Sequence, residues 1–144
     1  MGAPGVLPSD PGAGRVLVVE DDMTQRVMTT RILRRAGYEC AAATSTAEAR
    51  TLLSSQAFGV LLTDLRMFNE DGIELVRWTK DRFADVFVLV HTGLVEPDIA
   101  DKVRRAGAYD ILFKPVEPAD LVAVVERAFE ARKEAVALNR HKSG

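Results

Sequence analysis

The sequence predicts an α/β fold: one doubly wound (βα)5 domain whose five-stranded parallel sheet carries helices on both faces. Three observations lead there. Short continuous runs rich in Val and Leu recur along the chain, as expected of strands buried on both sides. Segments of helical periodicity separate those runs. Four of the runs also end on chemically active residues. Val16-Leu17-Val18-Val19 runs into Glu20-Asp21-Asp22, and Val60-Leu61-Leu62-Thr63 into Asp64. Val86-Phe87-Val88-Leu89-Val90-His91 runs into Thr92, and Ile111-Leu112-Phe113 into Lys114-Pro115. In an open parallel sheet the carboxyl ends of the strands share one edge, where ligands bind, so these residues should converge there.

Each element has its own signal. The first strand covers about 15–20. A helix from about Met23 to Ala36 follows, with Met28, Ile32 and Ala36 four apart, and stops at Gly37. Asp22 is placed to be its N-cap. A weaker strand covers 38–43. Ser45-Thr46-Ala47-Glu48 is a capping-box pattern, and Ala49, Leu52 and Leu53 give the next helix its apolar face. The third strand covers 59–63. Gly72 precedes a helix bearing Ile73, Leu75, Val76 and Trp78, and the fourth strand covers 86–91. Trp78 falls on the apolar stripe and is expected in the core. Pro97 suits a helix start, and that helix should end near Gly107. The fifth strand covers about 109–113. A last helix starts near Pro118-Ala119-Asp120 and extends to or past Arg132.

The chain has 144 residues, enough for one ordinary domain. Its 47% hydrophobic and 28% charged content is that of a soluble globular protein, and a net charge of −2 gives no global reason to expect nucleic-acid binding. No apolar stretch reaches the ~18 residues of a membrane span. The N-terminus lacks the basic start and apolar core of a secretory signal. The single cysteine, Cys40, fits a reducing cytoplasm and is expected as a small core residue. Residues 1–14 hold four glycines and three prolines, a flexible-tail composition. The domain should occupy 15–130, and 131–144, dominated by Arg132, Lys133, Glu134, Arg140 and Lys142, reads as a helix extension or linker.

Three carboxylates, a hydroxyl and an amine at one edge suit one job: holding a hard divalent cation beside an aspartate that receives a phosphoryl group. Mg²⁺ takes one or two carboxylates, keeps several waters and accepts phosphate oxygens, and Glu20, Asp21 and Asp64 offer such a site. The crowded carboxylates repel one another, so a cation has an electrostatic reason to bind. Aspartate can take a phosphoryl group covalently, and the transfer needs alignment and charge neutralisation above all. Lys114 can supply positive charge to one phosphoryl oxygen and the Thr92 hydroxyl a hydrogen bond to another. His91, one residue earlier, is expected to be a strand-end packing residue.

At these positions the chain resembles a response-regulator receiver domain of two-component signalling, across about residues 15–130, with that family's flavodoxin-like fold. The matching pieces are Val16-Leu17-Val18-Val19-Glu20-Asp21-Asp22, Thr63-Asp64-Leu65-Arg66-Met67 with Asp71-Gly72, Thr92-Gly93, and Gly107-Ala108 followed by Lys114-Pro115. The resemblance implies that Asp64 is the phosphoacceptor, with Glu20 and Asp21 the acidic pair around Mg²⁺ and the Arg66 backbone carbonyl a further ligand. It implies that Thr92 is the switch hydroxyl, that Lys114 binds the phosphoryl group, and that the Lys114–Pro115 bond is cis. Two positions depart from the pattern. Receivers usually carry Pro where this chain has Phe68, and Tyr or Phe where it has Ile111. Tyr109 is a candidate substitute for the missing switch aromatic.

A sensor histidine kinase or phosphotransfer protein is then the expected partner. Self-association is expected through the fourth helix, fifth strand and fifth helix, where Lys102, Arg104, Asp110 and Arg127 are charged candidates. The domain should catalyse only its own phosphorylation and dephosphorylation, in the cytoplasm, without touching nucleic acid or membrane. A phosphatase on a similar sheet would need a second aspartate where Arg66 stands, and a nucleotide-binding turn would be Gly-rich where this one is Glu-Asp-Asp. A phosphorylation-independent interaction module is the remaining alternative, suggested by Ile111 and Phe68.

Overall fold

β-branched and leucine runs form the strands where the sequence places them. The structure, a computed structural model, describes residues 10–67 and 70–143, and the side chains among them except those of Met67, Glu70 and residues 140–143. The elements are β1 (Arg15–Val19), α1 (Met23–Arg35), β2 (Glu39–Ala43), α2 (Thr46–Ser55), β3 (Val60–Thr63), β4 (Arg66–Met67), β5 (Glu70–Asp71), α3 (Gly72–Arg82), β6 (Phe87–Thr92), α4 (Ile99–Ala106), β7 (Asp110–Phe113) and α5 (Pro118–Ser143). The main sheet has the order β2-β1-β3-β6-β7 and is parallel throughout.

Alternation along each strand sorts the core into two layers. Val16, Val18, Val60, Leu62 and Leu89 pack with Leu33 of α1 and with Leu121, Val124, Val125 and Ala128 of α5. Leu17, Val19, Leu61, Val88 and Val90 pack on the other face with Ala49, Leu53, Leu75, Val76, Ile99 and Val103 of α2, α3 and α4. A strand shifted by one residue would exchange these two sets, so the pattern fixes the register. The consequence for the site is direct. In register, Val19 stands beside Thr63, Thr63 beside Val90, and Thr92 beside Phe113, so the residues following each strand meet at one edge.

Helix termini follow local chemistry. The Asp22 carboxylate accepts from Gln25 N at 2.8 Å, the Ser45 hydroxyl from Glu48 N at 3.1 Å, and the Asp71 carboxylate from Ile73 N at 2.9 Å, capping α1, α2 and α3. Gly37 and Gly107 adopt φ of 101° and 113° after α1 and α4, a region that costs a side-chain-bearing residue energy.

The structure departs from the sequence reading in three places. The short antiparallel β4–β5 ladder after Asp64 is an element that periodicity did not reveal, because two-residue strands carry no period. Phe68, singled out above, lies outside the described residues. The α4 helix begins at Ile99 and not at Pro97, with no side-chain cap from Asp98. From Asp10 onward the segment read as a flexible tail is a bonded turn: Ala13 N donates to Asp10 O at 3.0 Å and Arg15 N to Gly12 O at 3.2 Å. The 131–143 segment continues α5 without a break.

Candidate functional site

Four strands of the main sheet, β1, β3, β6 and β7, each deliver one part of a polar cluster. Glu20 follows β1 and Asp64 follows β3; both are buried. Lys114 follows β7, and its Nζ lies 2.7 Å from Asp64 Oδ2 and 2.9 Å from Glu20 Oε2. One ammonium thus bridges two carboxylates from strands far apart in the chain. Burial works against the ammonium, but the hydrogen bonds to Asp64 and Glu20 outweigh it and hold the Lys114 pKa above its ordinary value. Burial pushes the Glu20 carboxyl above the usual range; the Lys114 bond and charge oppose this, and the Asp64 charge adds to it.

Backbone contacts fix the two acids. Arg66 N donates to Asp64 Oδ1 at 3.2 Å and Asp22 N to Glu20 Oε1 at 3.2 Å, while the Thr63 hydroxyl donates to Asp64 O at 2.9 Å. Gly72 lies so close to this turn that an added Cβ would sit 2.7 Å from Asp64 O and 2.6 Å from Leu65 Cα. Any side chain there would displace the phosphoacceptor candidate's own backbone. Asp21 is exposed at the head of α1, and Arg26 Nη1 reaches back to the carbonyls of Glu20 at 2.9 Å and Asp21 at 3.3 Å.

The Thr92 side chain is buried, and its hydroxyl accepts from Leu94 N at 3.1 Å. Lys114 N donates to Thr92 O at 2.8 Å, which ties the ends of β6 and β7 together, and the Lys114–Pro115 bond is cis. A cleft of about 410 Å³ opens over Asp64, lined also by Gln25, Arg66, Thr92, Leu94 and Lys114. The six residues that sequence reading nominated, Glu20, Asp21, Asp64, Arg66, Thr92 and Lys114, therefore occupy one edge of the sheet.

Sequence reading missed the Glu20–Lys114 pair, the Arg26 brace and the close approach of Gly72. Arg26 had a usable signal, since it lies one helical turn past the acidic run. The other two depend on tertiary placement. Burial first, then the Lys114 charge, lowers the His91 pKa to about 4, so the ring is neutral near pH 7, in keeping with a packing residue. Burial raises the Cys40 thiol to about 11, an unreactive value. Trp78 packs against the core between the guanidinium groups of Arg50 and Arg82, 5.6 and 4.9 Å from its ring centre. Tyr109 is in the wrong place to replace the switch aromatic. It tilts against Phe87 at the start of β6, with ring centres 5.4 Å apart, whereas Thr92 ends that strand.

The donor chemistry suits a hard cation. Asp64 and Arg66 line the cleft, and the Lys114 ammonium is shared between the Asp64 and Glu20 carboxyl groups, oxygen donors of the kind a hard cation takes. Among the described residues no three acidic, His or Cys side chains are grouped so that they could hold a metal ion by themselves.

Comparison with known proteins agrees with this geometry. The family model described as "Response regulator receiver domain" matches residues 16–126. The chain is 36% identical over 121 residues to the DNA-binding transcriptional regulator NtrC of Escherichia coli K12, covering 84% of this chain and 26% of that protein. It is 34% identical over 119 residues to the C4-dicarboxylate transport transcriptional regulatory protein DctD of Pseudomonas aeruginosa, covering 83% of this chain and 26% of that one. The chain thus spans about a quarter of the length of these relatives. Among solved structures, a CheY-like receiver domain protein from Methanospirillum hungatei superposes with a TM-score of 0.81 at 25% identity, covering 84% of this chain and 97% of that one. The beryllofluoride-activated NtrC4 receiver domain, described as a dimer, gives 0.79 at 31% identity, covering 83% and 98%. With its sheet order, its acid–lysine edge and these matches in agreement, the chain belongs to the response-regulator receiver domain family.

Proposed function

We propose that Asp64 accepts a phosphoryl group from a sensor histidine kinase or phosphotransfer protein, and that the phosphorylated domain passes the signal on through an altered surface. The observation that carries this reading is the Lys114 ammonium held 2.7 Å from Asp64 Oδ2 at the mouth of the cleft. An Asp64 oxygen attacks phosphorus and the bond to the donor breaks. Lys114 then neutralises one phosphoryl oxygen, and the Thr92 hydroxyl, released from Leu94 N, donates to another. Buried charge-assisted bonds of this kind favour the phosphorylated arrangement, so the event shifts a population of conformers. Glu20, Asp21, Asp64 and the Arg66 carbonyl would hold Mg²⁺. When bound, it supplies charge that lets an anionic phosphoryl group approach an anionic nucleophile.

Catalysis by this domain is confined to its own phosphorylation and dephosphorylation. Its site in the cell is the cytoplasm, a reading that rests on the single cysteine suiting a reducing compartment. No helix among the described residues is long and apolar enough to cross a membrane. Self-association belongs to the α4–β7–α5 face, where Phe113 at the end of β7 is exposed, while Arg104 and Asp110 pair with each other at 3.4 Å.

Titration of the wild-type domain with beryllofluoride and Mg²⁺, followed by amide NMR, tests the reading. Shifts centred on Asp64, Thr92 and Lys114 are expected, and Asp64→Asn should abolish them. A wild-type spectrum unmoved by saturating beryllofluoride would favour a phosphorylation-independent interaction module instead.

A further inference from the structure

The edge of the sheet opposite the acid site holds a second long-range cluster, built around Arg132. This arginine lies on α5, and its side chain is 7% exposed. All three guanidinium nitrogens are used. Nε donates to Asp85 O at 2.7 Å, Nη1 to Asp10 Oδ2 at 2.5 Å and Nη2 to Asp10 Oδ1 at 3.1 Å. The two-pronged arginine–carboxylate bond is the strong, geometrically specific kind. Asp10 also organises its own turn, since Oδ1 accepts from Gly12 N at 3.1 Å.

That turn lies flat against the domain. A Cβ on Gly12 would sit 2.7 Å from Arg132 Nη2 and 3.0 Å from the Phe58 carbonyl carbon. A Cβ on Gly59 would collide with Gly12 O and would sit 2.6 Å from Phe129 Cε1. Two facing glycines thus let the N-terminal backbone, the start of β3 and α5 approach within reach of one guanidinium. Arg132 thereby joins the turn before β1, the start of β3 and, through Asp85, the loop before β6. It is also the last buried residue with a described side chain on α5. None of 133–139 is buried, and Leu138 is 57% exposed.

We propose that residues 10–14 are a strap that clamps α5 at Arg132 and sets the point where the helix passes from packed to free. Without the Asp10 charge, Arg132 is a buried cation with only neutral oxygens among its described hydrogen-bond partners, the Asp85 carbonyl first, and burying an uncompensated charge is costly. The guanidinium then turns toward water and the last packed turn of α5 lifts from Gly59. The proposal concerns the edge opposite the phosphorylation site and does not rest on the chemistry assigned to Asp64.

Hydrogen exchange of the full chain, read by mass spectrometry, tests it. Asp10→Asn keeps the shape and removes the charge; a chain lacking residues 1–11 removes the anchoring side chain of the strap outright. Both should speed amide exchange across 127–139 at least tenfold, with β3 and β6 changed less than twofold. Unchanged exchange in 127–139 would overturn the proposal. Uniform acceleration over the whole domain would overturn it too, because Asp10 would then add only general stability.

Discussion

Lys114 is the counter-ion that two buried acids share, so its loss should be felt in stability as well as in chemistry. Replacing it with methionine keeps much of the volume and leaves Glu20 and Asp64 facing each other with no cation between them. We expect Lys114→Met to cost roughly 1–3 kcal/mol at pH 7, read by urea denaturation, because a buried charged group loses its partner. The penalty should shrink as pH falls, because burial already holds the Glu20 carboxyl above the usual range and it takes up a proton first; a variant as stable as wild type at pH 7 would contradict the shared-counter-ion account. His91 makes an independent pH prediction. Its folded-state pKa of about 4 lies below the ordinary 6.5, so between those values the unfolded chain binds a proton that the folded one refuses. Stability tied to the neutral ring is therefore complete above pH 6.5, is lost as pH falls toward 4, and levels off below. In paired denaturation curves at pH 7.5 and 5, His91→Gln should lose less stability on acidification than wild type. An identical loss in the two proteins would show that the ring is not shielded.

Among the elements, α1 separates two neighbouring acids by role. Asp22 caps the helix through Gln25 N, whereas Asp21 stands before it at the acidic edge. Asp22→Ala should cost ~1 kcal/mol of stability, the usual worth of an N-cap, and leave Mg²⁺ affinity nearly unchanged. Asp21→Ala should weaken Mg²⁺ binding at little cost in stability. Equal losses of Mg²⁺ affinity in a chemical-shift titration would undo the assignment. The Asp22 cap was legible in the sequence because capping is local: a carboxylate three residues before a free amide is sufficient. The Asp10 turn was not legible. Its composition, rich in Gly and Pro, resembles that of an unpacked tail, and the residue that anchors it, Arg132, is 122 positions away in the chain. Glycine there serves close approach and not looseness, a difference that composition cannot carry. The β4–β5 ladder escaped for a different reason, being too short to show alternation.

At the scale of the whole molecule, two rules made the fold and the site readable together. Buried parallel strands are continuous apolar runs, and their carboxyl ends share an edge. The positions of Glu20, Asp64, Thr92 and Lys114 follow from those rules alone. What pairs with what at that edge does not, since the bridging of Glu20 and Asp64 by one ammonium depends on side-chain reach across three strands. The relay away from the site is the feature most particular to this chain. Ile111 is partly buried against the core layer on the α4 side of the sheet, and a β-branched side chain is stiff about χ1. We propose that inward movement of Thr92 is passed on through the backbone of 92–97 and α4. Ile111→Tyr should change self-association of the beryllofluoride-bound state while leaving the extent of Asp64 modification nearly unaltered. Loss of beryllofluoride binding in that variant would place Ile111 in the site instead. The most direct measurement of the central claim is peptide mapping by mass spectrometry after incubation with Mg²⁺ and a small phosphodonor. Wild type should carry one base- and hydroxylamine-labile phosphoryl group, on Asp64, and a folded Asp64→Asn should carry none. A phosphoryl group on another residue, or one that persists in that variant, would contradict that claim.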